Sequence, residues 1–366
     1  MNVIQVGESQ KEQWNDYVYS LPQPHFYHDY RWREVIEKSF NHKTFYLMAF
    51  EDKKVAGVFP LVFMKSLFFK PCLVSLPFLN YGGIVADDKN VASTLLGRAV
   101  EISKEIKAAY IEMRHFSQEQ SYPSPQPSPQ RGEGRVRGEL QQPILVTREH
   151  KVTMLLELSN SSEVQWAKLD KKVRNQIRKA EKSGLTAQQG KGELLDAFYK
   201  VFCRNMRDLG TPVFGKKFFE NILKAFPEES SIFVIFHKDK PIAAAFTLKH
   251  HDIVEIPWAS SIRDYDKLCP NMLLYWQVIK SAISSGCRQF DFGRCTKDSG
   301  TYQFKRQWNP VIHQLYWQYW ADEESKLAVP NPRASRFSSS IWLWQKLPLY
   351  FANRLGPCMA QNIPYF

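Results

Sequence analysis

The sequence predicts an α/β protein of the α+β kind, built from two tandem, duplicated domains, and three observations carry this. At 366 residues the chain exceeds one ordinary core, since domains run to about 100–200 residues. One order of elements, strand, turn, strand, strand, helix, strand, can be read twice along it. The second reading follows the first after about 180 residues, far beyond a solenoid unit, so whole domains are duplicated.

The first copy opens with the strand Lys43–Ala49, the turn Glu51-Asp52-Lys53-Lys54 and the apolar strand Val55–Met64. Cys72–Pro77, the glycine-containing Asn80-Tyr81-Gly82-Gly83, a helix from Val91 to Lys107 and a strand Ala109–Arg114 complete it. In the second copy Ser231–Phe236, the turn His237-Lys238-Asp239-Lys240 and Pro241–Leu248 form the hairpin. Ile253–Ser260 follows as a strand, then a loop to Pro270, a helix Asn271–Ser284 and the strand Arg288–Phe292. Between the copies, Gln118–Glu139 is rich in Pro, Ser, Gly and Arg and poor in aliphatic residues, which predicts a disordered surface insert. The expected division is 1–150, 151–325 and a helical tail 326–366.

Composition excludes some classes and leaves others open. Hydrophobic residues make up 44% and charged ones 23%, a globular balance, and no apolar run approaches the ~20 residues of a membrane span. The polar start (Asn2, Glu8, Lys11, Glu12) carries no secretory pattern, so a cytoplasmic protein is expected. Six scattered cysteines lack metal-ligand spacing, so reduced thiols and no metal are expected. The net charge of +12 suits an anionic partner: a nucleotide, lipid-linked phosphate, tRNA or acidic membrane.

The second half holds the distinctive strings. They are Trp258-Ala259-Ser260-Ser261, Pro270-Asn271 opening a helix with Tyr275, Phe290-Asp291-Phe292-Gly293-Arg294, and Gly300-Thr301-Tyr302-Gln303-Phe304-Lys305 followed by Gln307-Trp308. Together with Lys171–Leu185, Asn205–Val213 and, more weakly, His28, Trp32 and Asn80-Tyr81-Gly82-Gly83, they resemble the FemAB-like transferases. Within that group the chain looks like the FemAB-related proteins that accompany PEP-CTERM/exosortase and exopolysaccharide systems. The resemblance implies tandem duplicated GNAT-like (acyl-CoA N-acyltransferase) domains. It also implies transfer of an acyl or aminoacyl group to an amine of a cell-envelope or exopolysaccharide precursor.

Acyl transfer to an amine requires positioning, removal of the amine's proton and stabilisation of an oxyanion, without a dedicated nucleophile. The resemblance places Lys305 at the substrate cleft, where a cation can stabilise developing charge; the other reading is a lysine solvating a loop. Asp291, turned away from Phe290 and Phe292 by the period of two, is the second catalytic candidate: it either orients an amine or accepts its proton, or else pairs with Arg294 or caps a loop. On a helix spanning Glu163–Ser183, Arg174, Asn175 and Arg178 lie beside Lys171 and Lys182, a track for a diphosphate or RNA backbone or simply a solvated face. Arg207, Asp208 and Thr211, at the helix end that Gly210 closes, could hold a carboxylate, phosphate or sugar hydroxyl, or form a surface pair. Trp258, Ser260, Asn271, Tyr275, Arg294, Tyr302 and Phe304 complete the candidate substrate-binding set, its aromatics serving as cleft walls or as core. Cys295 reads as a packed residue.

The segment Ser261–Pro270 lacks the glycine-rich pyrophosphate cradle of acetyl-CoA enzymes, and Asp87 and Asp88 would repel a pyrophosphate at the first helix. No bound cofactor is expected, and the donor is aminoacyl-tRNA or acyl-CoA. The acceptor is expected to be an anionic small molecule or lipid-linked. A non-catalytic scaffold for polysaccharide export, an acetyl-CoA-dependent GNAT acetyltransferase and a nucleic-acid-binding protein are the competing readings. The tail, with Arg333 and Arg336 ahead of Ile341, Trp342, Leu343, Trp344, Leu347, Tyr350 and Phe351, suits either an in-plane helix at an anionic membrane face through 333–355 or packing onto the second domain.

Overall fold

The computed structural model describes residues 1–21, 26–66, 69–117, 144–323, 327 and 338–364. The insert read at Gln118–Glu139 lies outside these residues, as do Arg333 and Arg336. The first repeat runs β1 (Asn2–Gln5), α1 (Lys11–Ser20), α2 (Arg31–Phe40), β2 (Thr44–Glu51), β3 (Lys54–Met64), β4 (Cys72–Val74), β5 (Val85–Ala86), α3 (Lys89–Glu105) and β6 (Tyr110–His115). The strand β7 (Ile144–Arg148) leads into β8 (Lys151–Glu157), α4 (Ser162–Lys168) and α5 (Lys171–Lys182). The second repeat is β9 (Leu185–Gly190), α6 (Leu195–Leu209), α7 (Lys216–Ala225), β10 (Ser230–His237), β11 (Lys240–His250), β12 (Ile253–Ser261), α8 (Pro270–Ser284) and β13 (Gln289–Asp291). After it come β14 (Cys295–Thr296), α9 (Gly300–Arg306), β15 (Val311–Gln314), β16 (Tyr316–Ala321), α10 (Ser338–Lys346) and α11 (Leu349–Ala360).

Both sheets use one plan. The first is ordered β1-β2-β3-β4-β6-β16-β7 and the second β9-β10-β11-β12-β13-β8-β14. In each, three antiparallel pairings precede one parallel pairing, β4 with β6 and β12 with β13. A parallel neighbour needs a crossover, and α3 and α8 supply it. The hairpins even turn alike, with Asp52 and Lys238 left-handed at matching positions. Asp88 caps α3 by accepting from the Asn90 and Val91 amides, the role its carboxylate plays at that helix start.

The division at 325 is corrected by β16. Tyr316–Ala321, expected in the second domain, pairs with β6 and β7 in the first sheet, while β8 supplies the strand next to β13 in the second. The segments β7–β8 and β15–β16 run antiparallel as one ribbon, bonded to each other in both sheets. The first sheet therefore takes a strand from chain that follows the second repeat, and the second sheet one from the stretch between the repeats. One apolar cluster reflects this union, running from Trp14 and Trp32 through Phe198 and Phe219 to Trp258.

The basic helix expected over Glu163–Ser183 is two helices, α4 and α5, because Asp170 is extended at ψ 147°. Leu169, Val173, Ile177 and Ala180 form its apolar stripe and are buried in the cluster that includes α8. No helix among the described residues is long and apolar enough to cross a membrane. The tail helices pack on α6, burying Trp344, Ala352 and Ala360 while exposing Trp342, Leu343, Tyr350 and Phe351.

Candidate active site

A cleft of about 910 Å³, measured out to its open mouth, lies between the two domains. Tyr27, His28, Tyr81 and Gly83 line it from the first domain, and Leu155, Ile253, Glu255 and Asp291 from the second. Its base is the parallel pairing of the second sheet, where Ile253, Val254 and Glu255 oppose Gln289, Phe290 and Asp291. β13 ends there, whereas β12 continues to Ser261. Beyond Glu255 the β13 side of β12 is thus without that strand, and the sheet splays.

Strand alternation decides which side chains enter the cleft. Val254 and Phe290 pack in the core beneath α8, so Glu255 and Asp291 face the other way, toward the first domain. A register shift between β11 and β12 inserts one extra residue at Ile256–Pro257, which returns Trp258 to the side that Glu255 occupies.

Each acid is held by the opposite domain. Tyr27 donates to Glu255 Oε2 at 2.7 Å, and Asn80 donates to Oε1. Asp291 accepts from the Tyr81 hydroxyl at 2.8 Å, Thr153 at 2.7 Å and the Gly293 amide at 2.8 Å. Gly293 is left-handed at φ 69°, and a Cβ there would meet the Ile256 carbonyl at 2.8 Å, so glycine is required twice over. Burial, then the charge of Asp291, pushes Glu255 up to about 8, with Tyr27, Asn80 and Lys305 pulling the other way. Burial also raises Asp291, against its hydrogen bonds and the charge of Lys305.

Lys305 does not line the cleft. It is buried behind the acids, donating to the Gly293 carbonyl at 2.7 Å and the Arg294 carbonyl at 3.1 Å, because α9 packs Tyr302 and Phe304 inward and carries Nζ under that turn. Burial lowers its pKa. Arg174, Asn175 and Arg178 stand on α5, which packs with α8 on the opposite face of the sheet, so they are not brought to the cleft. Arg207 and Asp208 pair at 2.7 Å and secure the tail, through Arg207 to the Leu347 carbonyl and Gln345 to the Asp208 carbonyl. Thr211 continues that turn, its amide on the Met206 carbonyl. Trp258 packs edge-on against Phe218 and Phe219, and Tyr275 stacks on Phe292, so both are core. Ser260 accepts from Asn205, and Asn271 donates to Ser261, a polar group at the far end of the splay. Cys295 is buried. Glu255, Tyr27 and Thr153 are the site residues absent from the sequence reading. For Glu255 the signal was a lone acid inside the apolar strand Ile253–Trp258.

Residues 167–306 match the family model described as Acetyltransferase (GNAT) domain. Among solved structures the fold is similar to FemX, at 16% identity and TM-score 0.59, covering 87% of this chain and 97% of that one. It is also similar to a conserved protein of unknown function from Bacteroides thetaiotaomicron VPI-5482, at 10% identity and TM-score 0.57, covering 88% and 99%. A tandem GNAT protein from the clavulanic acid biosynthesis pathway aligns at 8% identity and TM-score 0.53, covering 87% and 97%. No curated protein matches the chain in sequence.

Proposed function

We propose that this protein, a tandem GNAT-fold acyltransferase of FemAB-like architecture, moves an acyl or aminoacyl group onto an amine in the cleft between its domains, with Glu255 as the base. The observation that carries the reading is the register of two carboxylates at the start of the splay, Glu255 opposite Asp291, both facing the cleft and both oriented by donors from the other domain. A carboxyl raised to about 8 by burial and its neighbour accepts a proton near neutral pH far better than an ordinary carboxylate.

In the reaction the amine nitrogen attacks the acyl carbonyl, forming the C–N bond. Its proton passes to Glu255, and the leaving oxygen or sulfur of the donor takes a proton as its bond to the acyl carbon breaks. Asp291, held by three donors, is the neighbouring carboxyl whose charge adds to burial in raising Glu255. Lys305 is a positioning residue, tying down the Gly293–Arg294 turn and lending its charge to the acids.

Aromatic walls formed by Phe26, Tyr81 and Phe116 suit an acceptor such as an amino sugar or peptide that is anionic or lipid-linked, as on a cell-envelope or exopolysaccharide precursor. The donor is aminoacyl-tRNA or acyl-CoA. The tail supports work at the cytoplasmic membrane face: beyond Glu324 the sequence holds no acidic residue, and the exposed side of α10 and α11 combines Trp342, Leu343, Tyr350 and Phe351 with Lys346 and Arg354. The test is transfer from labelled acyl-CoA and from aminoacyl-tRNA to amino-sugar and peptide acceptors, with wild type and Glu255→Gln. Transfer abolished by Glu255→Gln is expected; equal transfer by a folded Glu255→Gln protein would defeat this reading, and absence of transfer with every donor would favour the scaffold.

A further inference from the structure

Below the acid pair, where the exchanged strands meet, three cations surround one indole. The guanidinium of Arg114 lies 4.4 Å from the centroid of Trp317, that of Arg294 5.2 Å, and Lys151 Nζ 6.0 Å. The ring of His150 stands edge-on to the same indole at 5.4 Å. Arg114 is fully committed: it donates to Glu112 at 2.7 Å, to the Leu79 carbonyl at 3.0 Å and to the Pro364 carbonyl at 2.7 Å. Lys151 donates to Thr296 at 2.8 Å. Arg294 differs, because its Nη1 is shut off from solvent and has no hydrogen-bond partner among the described residues.

Other polar atoms nearby share that condition. Glu112 Oε2 and the Trp317 indole nitrogen are buried without partners among the described residues. Burial, with the charge of Arg114, holds Arg294 down to about 9. At neutral pH the arginine is therefore charged. Glu112 offsets Arg114, and Asp291 and Glu255 are occupied by their own donors. The charge of Arg294 is left over, in a place where a guanidinium without a counter-ion is strongly disfavoured.

We propose that Arg294, with Arg114 and Lys151 around Trp317, forms a subsite for an oxyanion, the carboxylate or phosphate group of the molecule whose reacting part enters the cleft. The planar fork of arginine matches two oxygens of such a group. Arg114 itself lines the cleft, so the subsite is continuous with it. The inference rests on the cleft as the place of substrate binding, but its test needs no turnover.

The experiment measures thermal unfolding of the full chain against rising inorganic phosphate, and separately against acetate, at constant ionic strength set with chloride. Wild type should show a saturable rise in Tm with one of the two, phosphate identifying a phosphorylated substrate and acetate a carboxylate. Arg294→Gln should lose that rise. The proposal is overturned if neither anion stabilises wild type, or if Arg294→Gln is stabilised as much as wild type. Should Arg294→Gln not fold, Arg294→Lys keeps the charge without the fork and should bind at least tenfold more weakly; unchanged affinity overturns the proposal equally. Anion binding with no acyl transfer would defeat the enzymatic reading alone, and transfer without anion binding the subsite alone.

Discussion

Glu255 and Asp291 face each other across the parallel pairing of β12 and β13, and each receives a tyrosine hydroxyl from the other domain. Acid chemistry at this point is thereby tied to domain packing. With its pKa raised from 4.5 to about 8, Glu255 is protonated in the folded chain where the unfolded chain has already released its proton. Stability from this group is complete below the unfolded pKa and is lost as pH rises through about 8. Activity moves the opposite way, since the base works deprotonated. We expect kcat/KM to rise through about pH 8 and Tm to fall across the same range. Glu255→Gln should flatten both trends and lower turnover about 10²–10⁴-fold; pH-rate profiles and scanning calorimetry check this.

Tyr27→Phe removes the hydroxyl that favours the charged form of Glu255. The ascending limb of the pH-rate profile should shift to higher pH, and a buried acceptor left short of a donor should cost about 1–3 kcal/mol of stability. A profile that stays in place would show that Glu255 is not the titrating group.

Lys305→Met removes both the hold on the Gly293–Arg294 turn and a charge that lowers both acids. Turnover should fall about 10²-fold with the pH limb moved upward, while KM changes little. Steady-state kinetics across pH separates this from a purely structural loss, which would lower the active fraction without moving the limb.

The exchange of closing strands predicts that a fragment ending at Arg148 does not fold, because β6 and β7 both lose β16. Circular dichroism and amide exchange on that fragment check it. Adding the peptide Tyr316–Ala321 in trans should recover part of the structure.

Trp342→Ser combined with Phe351→Ser should abolish flotation with anionic vesicles while leaving Tm unchanged, since these side chains are 61% and 53% exposed. Equal flotation of the double variant would remove the tail from membrane contact.

Much of this was legible in the chain. The repeated order of elements gave both sheets as far as their parallel pairings, because hairpins and crossover helices are local patterns. Asp291 was readable from its place between Phe290 and Phe292. Sidedness was not: the basic row of α5 is amphipathic whichever face of the sheet it covers, and the structure puts it away from the cleft. The resemblance put Lys305 at the substrate cleft, yet the packing of Tyr302 turns it beneath the acids. Tyr27 touches Glu255 across 228 residues of sequence, a contact with no local signature. The aromatic-rich string Tyr316–Ala321, with Gln318 its one strongly polar residue, suits either sheet, so the exchange left no trace in the sequence.

That exchange also sets a timetable during synthesis. The edge of β6 remains open until Tyr316–Ala321 leave the ribosome, for with β16 missing the first sheet has nothing to close it. At about 5–20 residues per second the nascent N-terminal half waits on the order of ten seconds or more with an unpaired strand exposed. Release of the finished chain, not completion of its first half, is therefore the step that commits both halves to fold, and shielding by a chaperone is worth most before it.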